Sequence, residues 1–412
     1  MNPSLLNKHL PVNWENGMMM TAGHLIALNQ YAIGAIHNAT IAHVNPVNYG
    51  LLPCYDKNYN ALEIVGDSPK EYFSVELVRC LAVTPGANIL SITPETVSAG
   101  QYKKSDLIAQ INLADSRERY LLLYLEIAPD YAPVGIPDPS ENFDRKPHLN
   151  LSVKLKHTTL NYPHEITDRY SNSPNVLPLA LYDAGDRAHP TQIKQFIPPC
   201  VSCDSFQSLA KLYDRLQKIT EDMLISCTEV MKFVHEDSQK NLRSQVAVDM
   251  SVILPPIIQS LIHINSQFKT SLRYESPVRL VQVFKQLAIA VRSSYFTLNQ
   301  ARRRELARYF ADFHGVPGDF MDTTGAVENA EYAHVNIYHS CFEHILKFLK
   351  MYADLFKEMS EKGLKTSEFA PGTYREDTPQ QPAYQPEPTP APPPPPPPKT
   401  SSDDDDWGMI LG

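Results

Sequence analysis

Apolar residues change their spacing once along the chain, near residue 204, and that change limits what each part can become. Before it, short apolar runs at residues 76–83, 120–127 and 149–155 alternate with Pro, Gly, Asn and Asp. They are rich in β-branched and aromatic side chains and are bounded by turn formers, so they predict strands. The run at 149–155 alternates apolar and polar, as a half-buried strand requires. Residues 1–203 therefore read as one β-rich domain with a few short helices, the best of them over residues 22–37.

Beyond residue 204 the period is helical. Phe206, Leu209, Leu212, Tyr213, Leu216, Ile219, Met223, Cys227, Val230, Met231 and Val234 advance in steps of three and four, which places them on one helix stripe. Asp204 or Ser205 stands where an N-cap would. A second helix is expected from about residue 239 to 268, kinked at Pro255 and Pro256 because each proline removes a backbone donor and crowds the preceding turn. A third is expected over 277–313, with Pro277 in the tolerant first turn. The fourth is expected over 326–362, with Val335, Tyr338, Cys341, Phe342, Ile345, Leu349, Tyr352, Leu355 and Phe356 on one side. Rods of about 45 to 55 Å at 1.5 Å per residue, each with an apolar stripe, have to pack as a long antiparallel four-helix bundle, within one chain or between chains. The expected fold class is thus α+β, a β-rich domain followed by a bundle (204–365).

From residue 366 the period vanishes. The last 36 residues hold twelve of the 35 prolines and, with six acids against Lys399, carry −5 of the net charge of −9. Residues 392–398 are an unbroken proline run, which favours extended polyproline II, and the surrounding composition favours disorder over 366–412. The chain then ends in Asp403, Asp404, Asp405, Asp406, Trp407, Met409, Ile410 and Leu411. Acids followed by an apolar group after a spacer read as a tethered docking peptide, with Trp407 as the anchor.

Charge and chemistry exclude several classes. A nucleic-acid binder needs a dense basic face, and Arg302, Arg303 and Arg304 are the only tight basic cluster. The most apolar stretch, 252–264, is interrupted by Pro255 and Pro256 and is short for a bilayer, so no direct membrane insertion is expected. The first residues lack the pattern of a signal peptide, and six cysteines do not make a disulfide scaffold. Both fit a cytoplasmic location. Cys200 and Cys203 form one C-x-x-C without a second pair, and His24, His37 and His43 match no ligand spacing. Phosphate-binding glycine loops and a nucleophile elbow are absent, so neither an enzyme nor a cofactor is expected. A metal-dependent enzyme using the N-terminal histidines with Cys200 and Cys203 is the alternative from another class.

Residues 12–25, Val-Asn-Trp-Glu-Asn-Gly-Met-Met-Met-Thr-Ala-Gly-His-Leu, resemble the opening of the TssK family, the trimeric baseplate subunit of type VI secretion systems. Trp14, Gly17, Met18 and His24 match it; Asn16 stands where the family usually has Glu, and Ala22-Gly23 replace a usual Pro-Gln. Residues 78–93 resemble the family's strand, Pro-Gly turn and strand, and residues 195–200, Gln-Phe-Ile-Pro-Pro-Cys, its element closing the N-terminal domain. The resemblance implies a β-sandwich shoulder (1–203) gripped by TssF and TssG wedge proteins, Trp14, Gly17, Met18 and His24 facing the wedge, and a helical neck (204–365) that forms a homotrimer. The family's C-terminal head, which contacts the inner-membrane complex, has no counterpart: the proline-rich tail (366–412) stands in its place. That departure resembles a divergent, Bacteroidetes-like branch. The implied role is a cytoplasmic adaptor at the inner face of the inner membrane, its tail meeting a membrane-complex or baseplate protein. A phage tail or receptor-binding protein is the related alternative.

Overall fold

The apolar runs at 76–83, 120–127 and 149–155 all become strands, each longer than its run. The computed structural model describes residues 11–54, 60–67, 72–112, 118–137, 146, 148–163, 165–166, 173–186, 189–239, 244–330 and 340–364. Its strands are β1 Gly50–Leu51, β2 Leu62–Asp67, β3 Phe73–Val83, β4 Ile89–Ile92, β5 Ile108–Ile111, β6 Tyr120–Val134, β7 His148–Leu160, β8 Val176–Asp183 and β9 Thr191–Gln192. Its helices are α1 Ala22–Ile41, α2 Pro94–Ser98, α3 Gln207–Gln239, α4 Gln245–Thr270, α5 Pro277–Phe296, α6 Gln300–His314, α7 Phe320–Glu328 and α8 Ser340–Lys362.

The strands form two antiparallel sheets. In the first, β3 is the hub and pairs with β1, β2, β4 and β5; the second runs β7-β6-β8-β9. Along β3 buried and half-buried residues alternate from Phe73 to Val78, the period-two signature of a strand with one covered face. Val75 and Leu77 of the first sheet share a core with Leu123, Leu125, Val153, Leu155 and Leu179 of the second. Phe73 meets Tyr182 edge-on across the layers, with ring centroids 5.3 Å apart. The expected β-rich domain is therefore a sandwich.

Residues 196–200 weld this sandwich to the helices. Phe196, Ile197, Pro198, Pro199 and Cys200 are all buried. Leu51 N–H donates to Pro199 O at 2.7 Å and Val201 N–H to Leu51 O at 3.0 Å. Gly50 makes this approach possible: its φ is +115°, and a Cβ would stand 2.0 Å from Pro199 O, which no side chain survives. On the helical side Ser276 Oγ donates to Val47 O at 2.6 Å, and Arg273 ties Asp204 to Asp214, each at 3.0 Å.

The bundle begins where the period changes, with differences in its element bounds. α3 opens at Gln207, past the expected cap; Ser205 Oγ instead accepts from Ser202 N–H at 3.1 Å. Leu209, Tyr213, Leu216, Met223, Cys227, Val230 and Val234 of the expected stripe are buried. α4 starts at Gln245, capped by Ser244, whose Oγ accepts from Ala247 N–H at 3.1 Å. It runs as one helix through Pro255 and Pro256. Both prolines are exposed, as are Ser251 and Val252, whose carbonyls the prolines leave without intrahelical donors, so water can serve those groups. Contrary to the reading of 252–264 as too short, α4 is long and apolar enough to cross a bilayer. Its apolarity is used in the core instead: Leu254, Ile257, Leu261 and Ile264 are buried in the bundle.

The third and fourth helices break where single rods were expected. α5 ends at Phe296 and α6 restarts at Gln300, because Asn299 Oδ1 accepts from Arg302 N–H at 3.0 Å and caps a new helix. α6 ends on Gly315, in the left-handed region at φ +61°. The expected rod over 326–362 folds back on itself. Thr324 Oγ1 and Tyr352 OH lie 2.9 Å apart, whereas 28 residues of one helix would span about 42 Å. α7 returns along α5, with Arg292 on Glu328 at 2.6 Å and Lys285 Nζ donating to Ala330 O at 2.9 Å. α8 then runs outward beside α3: Phe342 and Leu346 line a groove with Ser208 and Leu212. Val335 and Tyr338 lie outside the described residues; Cys341, Phe342, Ile345, Leu349, Tyr352, Leu355 and Phe356 are buried as their spacing requires. The tail, with Asp403, Asp404, Asp405, Asp406, Trp407, Met409, Ile410 and Leu411, also lies outside them.

Candidate protein-interaction site

The four N-terminal residues singled out by sequence come together at the start of α1. Gly17 has φ +84° and Met18 N–H donates to Glu15 O at 3.1 Å, so residues 15–18 make a turn of the kind that needs glycine at its third position. The turn returns Trp14 to His24, ring edge against ring, with centroids 6.0 Å apart. His24 has a second task. Thr21 Oγ1 accepts from His24 N–H at 3.3 Å while His24 Nδ1 accepts from Thr21 N–H at 3.4 Å, a reciprocal cap in which the imidazole replaces the usual Glu. That bond places the neutral ring's proton on Nε2. Trp14, Met18, Met19 and Met20 remain exposed, Met19 at 80%.

α1 continues this surface. None of its twenty residues is buried. Leu25, Leu28, Ala32, Ile36 and Ala39 fall on one side at helical spacing and are all exposed. A helix with an apolar stripe normally owes its stability to covering that stripe. The segment also lacks charge: between Asn16 and Tyr55 there is no Asp, Glu, Lys or Arg. Depletion of charged residues marks the core of protein interfaces. This signal was present in the sequence and is stronger than the four motif residues.

At the far end of α1 a groove of about 470 Å3 opens against the first sheet. Ile36, Val44, Leu52, Val83, Ile89 and Val201 supply its apolar walls, with His43 and Asn48 at polar points. Ile36 and Ile89 are 61% and 55% exposed. One end of α1 therefore carries an apolar projection and the other an apolar recess.

Chemical machinery does not gather here. Among the described residues no group of three or more His, Cys, Asp or Glu side chains could hold a metal ion. Cys200 and Cys203 are buried in the weld, and Cys200 Sγ donates to Pro198 O at 3.1 Å. Burial pushes both thiols up, Cys203 to about 12, so as free thiols they are poor nucleophiles at neutral pH. His24 and His37 lie on α1, His37 as a half-buried residue, and His43 lies just beyond it. Glu126, on β6, pairs with Lys156 of β7 at 2.5 Å on the sheet surface.

No protein-family model and no curated protein matches the sequence. Several solved structures resemble the fold. The chain is similar to a chain in a cryo-electron microscopy structure of a type VI secretion TssK–TssF–TssG baseplate subcomplex, at 15% identity over 83% of this chain and 99% of that one, with a TM-score of 0.47. It is similar to TssK of the EAEC type VI secretion system bound to a nanobody, at 16% identity over 80% and 68%, TM-score 0.45. A type VI secretion baseplate complex matches at 14% identity over 84% and 69%, TM-score 0.48. Each of these matches covers about four-fifths of the chain.

Proposed function

We propose that the protein is a non-catalytic structural adaptor of a type VI secretion baseplate. It acts as a homotrimer that joins a TssF/TssG-type wedge to the membrane-anchored part of the apparatus from the cytoplasmic side. The observation that carries this reading is α1, a twenty-residue helix with an exposed apolar stripe, no buried residue and no Asp, Glu, Lys or Arg. Such a surface gains stability when an assembly covers it, and patches of this kind mark interaction sites. The ordered TssK-like segments at residues 12–25, 78–93 and 195–200 supply the identity of that assembly.

The parts have separate roles in this account. The sandwich (1–203) is the shoulder that the wedge grips, and the helices (204–365) form the neck. Residues 366–412 tether a docking peptide, Asp403, Asp404, Asp405, Asp406, Trp407, Met409, Ile410 and Leu411, to a membrane-side or baseplate partner. Three tails in one trimer raise the effective concentration of a weak peptide. Affinity purification from the native cell tests the whole reading. The full chain should bring down TssF/TssG-type proteins and a membrane-side partner. Deleting residues 380–412, or Trp407→Ala, should lose only the latter; a chain that brings down no wedge protein would refute the adaptor role.

A further inference from the structure

We infer that the groove at the C-terminal end of α1 receives the N-terminal projection of a second copy of the chain. The contact is then head-to-tail: Trp14, Met18 and Met19 of one copy enter the recess walled by Ile36, Val83 and Ile89 of the next. This deepens the homotrimer reading above and rests on it.

A protomer cannot fill its own groove. Trp14 is held against His24, with centroids 6.0 Å apart, and the helix between His24 and Ile36 covers about 18 Å at 1.5 Å per residue. The projection is therefore fixed at one end of a rod and the recess at the other. The groove, at about 470 Å3, lies within the roughly 300–1,000 Å3 of ordinary binding pockets. It takes a few large side chains of a short segment, not a whole helix.

The chemistry favours a copy of the same chain over a foreign partner. The uncharged stretch from Asn16 to Tyr55 includes Met18 and Met19 of the projection, α1 and part of the groove wall, with Trp14 just outside it on the far side of Glu15. Packing it against itself brings no like charges together, and it offers a foreign partner no charge by which to be steered. Because projection and recess are different surfaces, the contact is heterologous, and a rotation that closes gives a ring.

Complementation between two variants of the full chain tests this. Met19→Asp disables the projection and Ile89→Asp the groove; both positions are exposed, so each variant should fold. Each alone should dissociate at a concentration at least tenfold higher than the parent. Mixed, they should recover part of that loss, because one intact projection and one intact groove remain between them. In a Met19→Cys/Ile89→Cys chain, oxidation should give covalent species beyond the dimer, while neither single variant should cross-link beyond traces. A parent chain that is monomeric by light scattering would remove the homotrimer reading itself. A parent that is oligomeric, with both Asp variants of unchanged mass and the Cys pair unlinked, would overturn the groove assignment alone. Loss of TssF/TssG-type binding with unchanged mass would also overturn it, and would return Trp14 and Met18 to a wedge-facing role.

Discussion

Two helices of this protein are almost equally apolar and are used in opposite ways. α4 could cross a bilayer by length and composition, yet it buries ten residues, among them Leu254, Leu261 and Phe268, and even holds an acid, Asp249, inside the bundle. α1 carries no charged residue and buries nothing. Apolarity in the first builds a core within the chain; in the second it leaves a surface that an assembly has to complete. The presence of a paired charge is informative here. A helix that folds into its own chain can hold a carboxylate against a dedicated partner, whereas one whose cover arrives from outside avoids charges that would be stranded before assembly.

The largest expected effect lies in α4. Arg302 pairs with Asp249 at 3.0 Å, and only 4% of the Asp249 side chain is exposed. Arg302→Ala strands a buried carboxylate and should cost on the order of 3–5 kcal/mol of unfolding free energy. Burial pushes the Asp249 carboxyl above its ordinary value, with Arg302 pulling it back only in part. The folded state then holds that proton more tightly than the unfolded state does. Its contribution to stability therefore falls as pH rises from the ordinary carboxylate value through the raised one. The deficit of Arg302→Ala should shrink on moving from neutral toward acid pH, as read by urea unfolding. A deficit that grows in acid would show that Asp249 is not the stranded group.

Next comes the core of the same helix. Leu261 is fully buried, so Leu261→Ala should cost about 2–5 kcal/mol, whatever the protein concentration. Ile36→Asp on α1 should behave differently. The parent's thermal midpoint should rise with protein concentration, as for any assembly that binds only folded chains; the variant should lose that dependence while keeping its dilute-solution midpoint. Smallest is Thr21→Ala, which removes the α1 cap and should cost about 1 kcal/mol of local helix stability, seen as faster amide exchange over residues 22–26. Equal losses for Leu261→Ala and Ile36→Asp in dilute solution would dissolve the contrast between the two helices.

Much of the fold was legible because hydrophobic period reports local structure directly. The strands at 76–83, 120–127 and 149–155, the helix from residue 22 and the α3 stripe all formed where spacing put them. The failures have a common physical origin. Period says that a residue faces a core but not which way the chain runs, so the end of α7 and the whole of α8 read as one rod over 326–362 although Thr324, earlier in α7, touches Tyr352. The break before α6 was marked by Asn299, a strong cap former, but the apolar spacing of the third rod masked it. Pro255 and Pro256 suggested an interruption in α4, yet on an exposed face water can serve the carbonyls they leave without donors. At the candidate site, Trp14, Gly17, Met18 and His24 were identified by resemblance and do gather. The recess walled by Val83, Ile89 and Val201 was not visible, because it joins segments more than a hundred residues apart.

Light scattering of the purified full-length chain at micromolar concentration tests the central claim most directly. If α1 is the unfinished half of an interface, the mass will be three times the 46.4 kDa of one chain, and Ile36→Asp will dissociate at a concentration at least tenfold higher than the parent. A parent that stays at one chain mass, with α1 protected from amide exchange all the same, would contradict it.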